Sequence, residues 1–345
     1  MEQTSHQGIA RNGPICRLVD EHEEPRRLDH LVDLPRGWTR ETVNPDMWNL
    51  PLPSTAAEEI QDLVAAMQEA PLPLLLRKPD GFRLDACRRL MATVKERLTN
   101  AMGLAVVDRL PVDNMSKEDA TAVYWVLGQF LGMPVATKWN GTLLYDVTDT
   151  GQKYGYGVRG SATNVELSFH TDNAFGVALP DYVGLLCHRP AVSGGVSQVC
   201  SIYSIHNLMM RQHPRLLKRL YQPCFFDRQA EHAAGAAKVM QAPMFRYDGD
   251  RLYARLVPGL VRRGYEMVDQ PMDAELVDAL QALQLILKDD TLAISFMLER
   301  GQIQYAHNQT CPHFRSAFTD HTDPALKRHL VRVWYREQGN QTYDG

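Results

Sequence analysis

The stretch Val165-Glu166-Leu167-Ser168-Phe169-His170-Thr171-Asp172 ends an alternating run with a histidine and an aspartate one residue apart. Alternation at period two predicts a strand, with Glu166, Ser168 and His170 on one face and Val165, Leu167 and Phe169 on the other. The pattern His-x-Asp/Glu is cheap by itself. With 12 histidines and 41 acidic residues in 345 positions, about 1.4 matches arise by chance, so context must decide. Three matches occur. His22-Glu23-Glu24 lies in the charged run from Asp20 to Arg27 and reads as a solvated loop. His321-Thr322-Asp323 sits in a turn-rich connector ending at Pro324, with too little chain beyond it for a distal ligand strand. His170-Thr171-Asp172 alone follows a strand and has both His313 and Arg328 downstream.

Two imidazoles and one carboxylate can occupy one face of an octahedral ferrous ion and leave three positions open. The run Arg328-His329-Leu330-Val331-Arg332-Val333-Trp334 predicts a second strand, with Arg328 and Arg332 on the same side. Two arginines on the inward face of an otherwise apolar strand are expensive to bury without anionic partners. The bland alternative is that both snorkel to the surface or pair with local aspartates. A guanidinium near the distal histidine suits a dicarboxylic co-substrate such as 2-oxoglutarate, held bidentately. These residues point to a non-haem iron oxygenase.

Four blocks then resemble the taurine dioxygenase (TauD/TfdA) family. Asn164 through Asp172 is similar to its "ELxFHTD". Pro190-Ala-Val-Ser-Gly-Gly-Val-Ser197 is similar to "PxxxGGxS/T". Gln302–Asn308 with His313–Phe318 resembles "GDIxFLNNxxxxHGRTAF", and Lys327–Trp334 resembles "RRHLLRLW". The likeness spans roughly residues 35–337. It implies a double-stranded β-helix (jelly roll) core using Fe(II), 2-oxoglutarate and O2. By position it implies His170, Asp172 and His313 as iron ligands. Arg328 and Ser197 would hold the distal carboxylate of 2-oxoglutarate, and Arg332 falls where the taurine enzyme holds its substrate anion. Asp172 keeps the carboxylate that related halogenases replace, so halogenation is disfavoured. The sequence departs from the family at Ala306-His307-Asn308, where Asn-Asn is usual, and at Phe314, where Gly is usual. His307 reads as a supporting or structural residue. Glu166 and Arg332, inward by strand phase, suggest a polar or zwitterionic small-molecule substrate. Hydroxylation of an unactivated C–H, with release of succinate and CO2, is the default outcome. Two rival readings remain: a 2-oxoglutarate-independent metal enzyme on a cupin-like jelly roll, and a non-catalytic binding protein of the same fold.

Composition bounds the rest. Net charge is −4 and the charged fraction 23%, which offers no electrostatic footprint for nucleic acid. No run approaches the ~18–20 apolar residues of a membrane span. The polar N-terminus has no signal-peptide pattern, and six scattered cysteines without CxxC fit a reducing cytoplasm. Cys187, Cys200 and Cys311 fall in apolar runs and read as buried thiols. The family forms dimers and tetramers, so a homo-oligomer is an expectation from resemblance alone.

Residues 1–34 are polar and aperiodic, predicting a loosely packed leader before a single domain at 35–345. Helices are predicted at about 56–70, with Thr55-x-x-Glu58 as a capping box, at 84–101, from Ser116, at 204–220 and around 276–287. Strands are predicted at Leu104–Val107, Tyr182–His188 and Val196–Ser201, and Asp248-Gly249 predicts a hairpin turn. The basic pieces Arg211–Arg219 and Arg262-Arg263 read as solvated faces. The glycine-rich segment 147–164, with Tyr154 and Tyr156, is either an active-site lid or an ordinary connector. The class is therefore mostly β with flanking helices.

Overall fold

A computed structural model describes residues 15–19 and 24–345. Its larger sheet has seven strands. Tyr182–Arg189 lies between Ile303–His307 and His329–Arg336. Leu104–Asp108 and Asn49–Pro51 extend the sheet on one side, while Met133–Val135 and Leu144–Val147 pair with His329–Arg336 on the other. All these pairings are antiparallel except Asn49–Pro51 with Leu104–Asp108. The smaller sheet runs in the order Ala293–Phe296, Ser197–Cys200, His313–Arg315, Leu167–His170, antiparallel throughout.

The two sheets share a core. Val106, Cys187 and Leu330 of the larger sheet cluster with Val199 and Ile294 of the smaller, closed by Trp38 and Trp48. Along His329–Arg336 the alternation separates two environments. Leu330 enters this inter-sheet core. Val331, Val333 and Tyr335 face the opposite way, into a layer with Ile60, Val94 and Val123 from the helices Ser54–Glu69, Asp85–Thr99 and Lys117–Gly128. A third cluster packs the helices Ile202–Gln212, Pro214–Leu220, Pro258–Met267 and Ala274–Ile286 around a three-stranded sheet. Phe169 and Phe175, on either side of the His170 motif, lean on it.

Several expectations change. Seven α-helices among the described residues make the chain mixed rather than mostly β. The polar leader contributes structure: Ile15–Arg17 pairs in parallel with Val239–Pro243, Leu28 is buried, and Asn207 holds both backbone groups of Val32. A three-residue strand stabilised by another strand's hydrogen bonds leaves no periodicity to read. His22 lies outside the described residues. The capping box at Thr55 does not form, because the helix starts at Ser54 and the Pro53 carbonyl accepts from Ala56 and Ala57. The helix expected at 204–220 is two, since Pro214 has no N–H and pushes His213 out of helical geometry. Ser116 caps its helix as predicted, accepting from Asp119 N–H, and the hairpin turns at Asp248-Gly249.

Candidate metal centre and co-substrate site

His313 and His170 are directly opposed across the smaller sheet. Opposed residues of an antiparallel pair project from the same face, and the two ring centroids lie 4.4 Å apart. The register slips between His313 and Arg315, so that Arg315 faces Leu167 while His313 faces His170. Two residues, Ser168 and Phe169, oppose the single Phe314 there, which is a β-bulge. The strict alternation expected for 165–170 is therefore broken. Ser168 and Glu166 are exposed rather than sharing an inner face with His170, and Phe169 meets Phe314 at 5.5 Å. Glu166 sits at the rim of the cavity described below.

Asp172 is 5% exposed. Its Oδ1 is 3.6 Å from His170 Nε2 and 3.7 Å from His313 Nε2. One donor atom from each of the three residues falls within 4.8 Å of the others. The backbone around them is tied down on both sides. The Asn308 side chain accepts from Asp172 N–H at 2.8 Å and donates to Asp172 O at 2.9 Å. Thr171 exchanges two backbone-length bonds with Leu256, and Asn173 completes the turn at φ +56°. His170 Nδ1 is 2.9 Å from Ser168 O. Donation there leaves the Nε2 lone pair directed at the centre.

The carboxylate is further held by the larger sheet. Arg332 Nη1 donates to both Asp172 oxygens at 3.2 and 3.0 Å, and Trp334 Nε1 donates to Oδ2 at 2.8 Å. Burial alone would raise the carboxyl pKa. The Arg332 guanidinium first, and then the two histidines, hold it well below the usual carboxylate range. Burial lowers His313, with His170 adding to the effect. The His313 imidazole and the Asp172 carboxylate thus favour the unprotonated forms that a metal ligand requires.

Arg328 is 5% exposed, and its Nη1 has no partner. Its guanidinium lies over the Phe318 ring, and the Gly195 α-carbon passes close enough that a Cβ there would meet Arg328 Nε at 3.2 Å. Burial pulls Arg328 below an ordinary guanidinium pKa. A buried cation without a paired anion is costly, and a carboxylate ligand would remove that cost. Ser197 lies two residues past Gly195, between Phe296 and Arg315 on the neighbouring strands. The donor set therefore fits a keto-diacid whose far end meets Arg328. His307 is elsewhere, buried against Tyr182 and Tyr253 and pushed down to about 4 by that burial; its role is structural.

Beside His170 and Asp172 lies a cavity of about 450 Å³. The glycine-rich segment borders it with Tyr154, Tyr156 and Gly160, and the helix Pro258–Met267 starts at its wall. Arg263 stacks on Tyr156 at 4.3 Å and pairs with buried Asp227 at 3.2 Å. It borders the cavity while its side chain stays 45% exposed, so the solvated reading of this position holds. Sequence reasoning missed Trp334, Asn308 and Arg263. The first had a signal, because strand phase already placed Trp334 beside Arg332.

A His-x-Asp and a distal histidine brought together by the smaller sheet, with the carboxylate held from the larger sheet by Arg332 and Trp334, have the form of a non-haem metal oxygenase site. The family model for taurine catabolism dioxygenase TauD, TfdA family matches residues 68–334, and the chain belongs to that family. It is an Fe(II)- and 2-oxoglutarate-dependent oxygenase. The chain is 28% identical over 320 residues to FR-33289 synthase of Streptomyces rubellomurinus, covering 88% of this chain and 90% of that protein. It is 27% identical over 304 residues to L-asparagine oxygenase of Streptomyces coelicolor, covering 84% and 86%. The crystal structure of asparagine oxygenase with Fe(II), 2S,3S-3-hydroxyasparagine and succinate superposes with a TM-score of 0.63 at 21% identity. That match covers 86% of this chain and 98% of the other. Among the described residues no helix is long and apolar enough to cross a membrane.

Proposed function

We propose that His170, Asp172 and His313 hold the ferrous ion, and that Arg328 and Ser197 hold the distal carboxylate of 2-oxoglutarate. The enzyme would then hydroxylate an unactivated C–H of a polar, amino-acid-like small molecule. The observation that carries this reading is the convergence of three ligand atoms within 4.8 Å beside a buried arginine whose Nη1 has no partner. When bound, iron and 2-oxoglutarate use O2 to oxidise the C–H, releasing succinate and CO2. The protein's own residues orient and exclude water. Asn308 and Thr171 set the Asp172 backbone, and Arg332 with Trp334 fixes its carboxylate plane. Arg332 keeps an unpartnered Nε, which suits a substrate anion, while Glu166 at the rim suits an ammonium group. We read the segment 147–164 as the lid over this cavity.

The strands from Leu167–His170 to His329–Arg336 pass back and forth between the two sheets, with Ser197–Cys200 and Ala293–Phe296 both in the smaller one, and this supports a double-stranded β-helix core within a single domain at 35–345. Buried thiols at Cys87, Cys187, Cys200, Cys224 and Cys311 support a cytoplasmic setting. The cupin-like rival has no use for Arg328, and the non-catalytic rival has no use for three converging ligands.

The direct test supplies iron, 2-oxoglutarate, air and a set of polar amino acids and their derivatives, and follows succinate and substrate mass. Succinate linked to a gain of one oxygen in one compound, and lost in His170→Ala, is the expected result. Equal turnover by His170→Ala would refute the ligand assignment. Trp334→Phe keeps the ring but removes the N–H that Asp172 accepts. Loss of such a supporting bond typically weakens metal binding by about 10- to 100-fold, measurable by anaerobic competition with a chromophoric chelator. Unchanged affinity would remove Trp334 from the site.

A further inference from the structure

Arg315 stands two residues after His313 and directly opposite Ser197 on the adjacent strand, so both project from the His313 face of the smaller sheet. It is 7% exposed. Its Nη2 donates to Thr163 O at 2.9 Å and to Val165 O, while its Nε and Nη1 have no partners. Its guanidinium carbon lies 4.8 Å from the Phe318 ring centroid, and that of Arg328 lies 5.1 Å from the same centroid. Among the described residues no carboxylate lies within ion-pair distance of either guanidinium, and Asp320 acts on Arg328 only through space. Asp320 accepts from the Arg328 backbone N–H, and Asp149 acts on Arg315 only at longer range. Two buried guanidiniums against one ring, with three unpartnered nitrogens between them, exceed what one arginine clamp requires. They are matched by a dispersed negative charge such as a carboxylate.

We propose that Arg315 is a third donor to the distal carboxylate of 2-oxoglutarate, beside Arg328 and Ser197. It thereby joins the co-substrate to the backbone at Thr163 and Val165 that leads into the His170 strand. The proposal rests on the co-substrate site described above and assigns a further residue within it.

The test is anaerobic calorimetric titration of the iron-loaded enzyme with two probes, 2-oxoglutarate and 2-oxobutyrate. The second keeps the keto-acid end and has no distal carboxylate. Loss of a charge-assisted bond in R315Q should raise the Kd for 2-oxoglutarate by about 10- to 100-fold and leave that for 2-oxobutyrate unchanged. R315K keeps the charge without the fork, so its ratio of the two Kd values should fall between those of wild type and R315Q. Equal weakening of both probes in R315Q assigns Arg315 a purely structural role and overturns the proposal. A wild-type ratio in either variant does the same, and R315K carries the test if R315Q does not fold. Should the wild type itself bind 2-oxobutyrate as tightly as 2-oxoglutarate, the Arg328 clamp fails together with the Arg315 assignment.

Discussion

Metal-free Asp172→Ala is expected to unfold at markedly lower denaturant than the wild type, as well as to lose ferrous binding. The carboxylate is the only anion within ion-pair distance of Arg332 among the described residues, at 3.0 Å, and both groups are buried. Removing one partner strands the other charge in a low-dielectric interior, at a typical cost of about 3–5 kcal/mol. Against the ~5–15 kcal/mol that holds most domains together, that loss is large. Asp172→Asn should fall between, because its amide oxygen can still accept from Trp334 Nε1 but brings no charge to Arg332. Urea midpoints of the metal-free proteins, paired with anaerobic iron titrations, separate the two effects. If Asp172→Ala matches the wild-type midpoint, the ion pair with Arg332 is not what holds this carboxylate.

The opposite sign is expected for Arg328→Met. Here the buried charge lacks an ion-pair partner in the absence of ligand, so an apolar side chain of similar length relieves a desolvation cost. The metal-free variant should be as stable as the wild type or more so. Binding of 2-oxoglutarate should collapse. Truncating one side of a buried, hydrogen-bonded charge pair costs about 2–5 kcal/mol, or roughly 30- to several thousand-fold in Kd. Iron affinity without co-substrate should stay near that of wild type, since Arg328 makes no contact with the three ligands. Calorimetry and thermal melts on one preparation read both effects. A destabilised apo protein with intact 2-oxoglutarate binding would show that Arg328 is structural.

The ligand residues were legible because each stands in a short motif whose strand phase limits where it can point. His170, Asp172 and His313 converge as the family likeness implied, although the bulge breaks the strict strand phase. Arg328 and Arg332 are both buried, but Arg328 precedes the strand His329–Arg336, whose register slips between His329 and Leu330. What strand phase could not reveal is partner choice. Arg332 spends its Nη1 on Asp172, a contact across two sheets with no signature in either local sequence. The bulge opposite His313 was equally invisible, since a one-residue slip depends on pairing between strands about 145 positions apart. It moves Glu166 and Ser168 outward and makes the register of His170 with His313 possible. Arg263 is solvated as its basic dipeptide suggested, but its pairing with buried Asp227 was invisible for the same reason. Five helices were found by their apolar stripes, but Pro214 splits one of them and the helix Pro258–Met267 was missed.

Anaerobic titration of ferrous ion into the wild type and into His313→Ala tests most directly whether distant parts of the chain build one metal site. The wild type should take up one tightly bound ion per chain, and His313→Ala should lose that binding while retaining the wild-type fold by circular dichroism. Tight one-to-one binding that survives the loss of His313 would contradict the account.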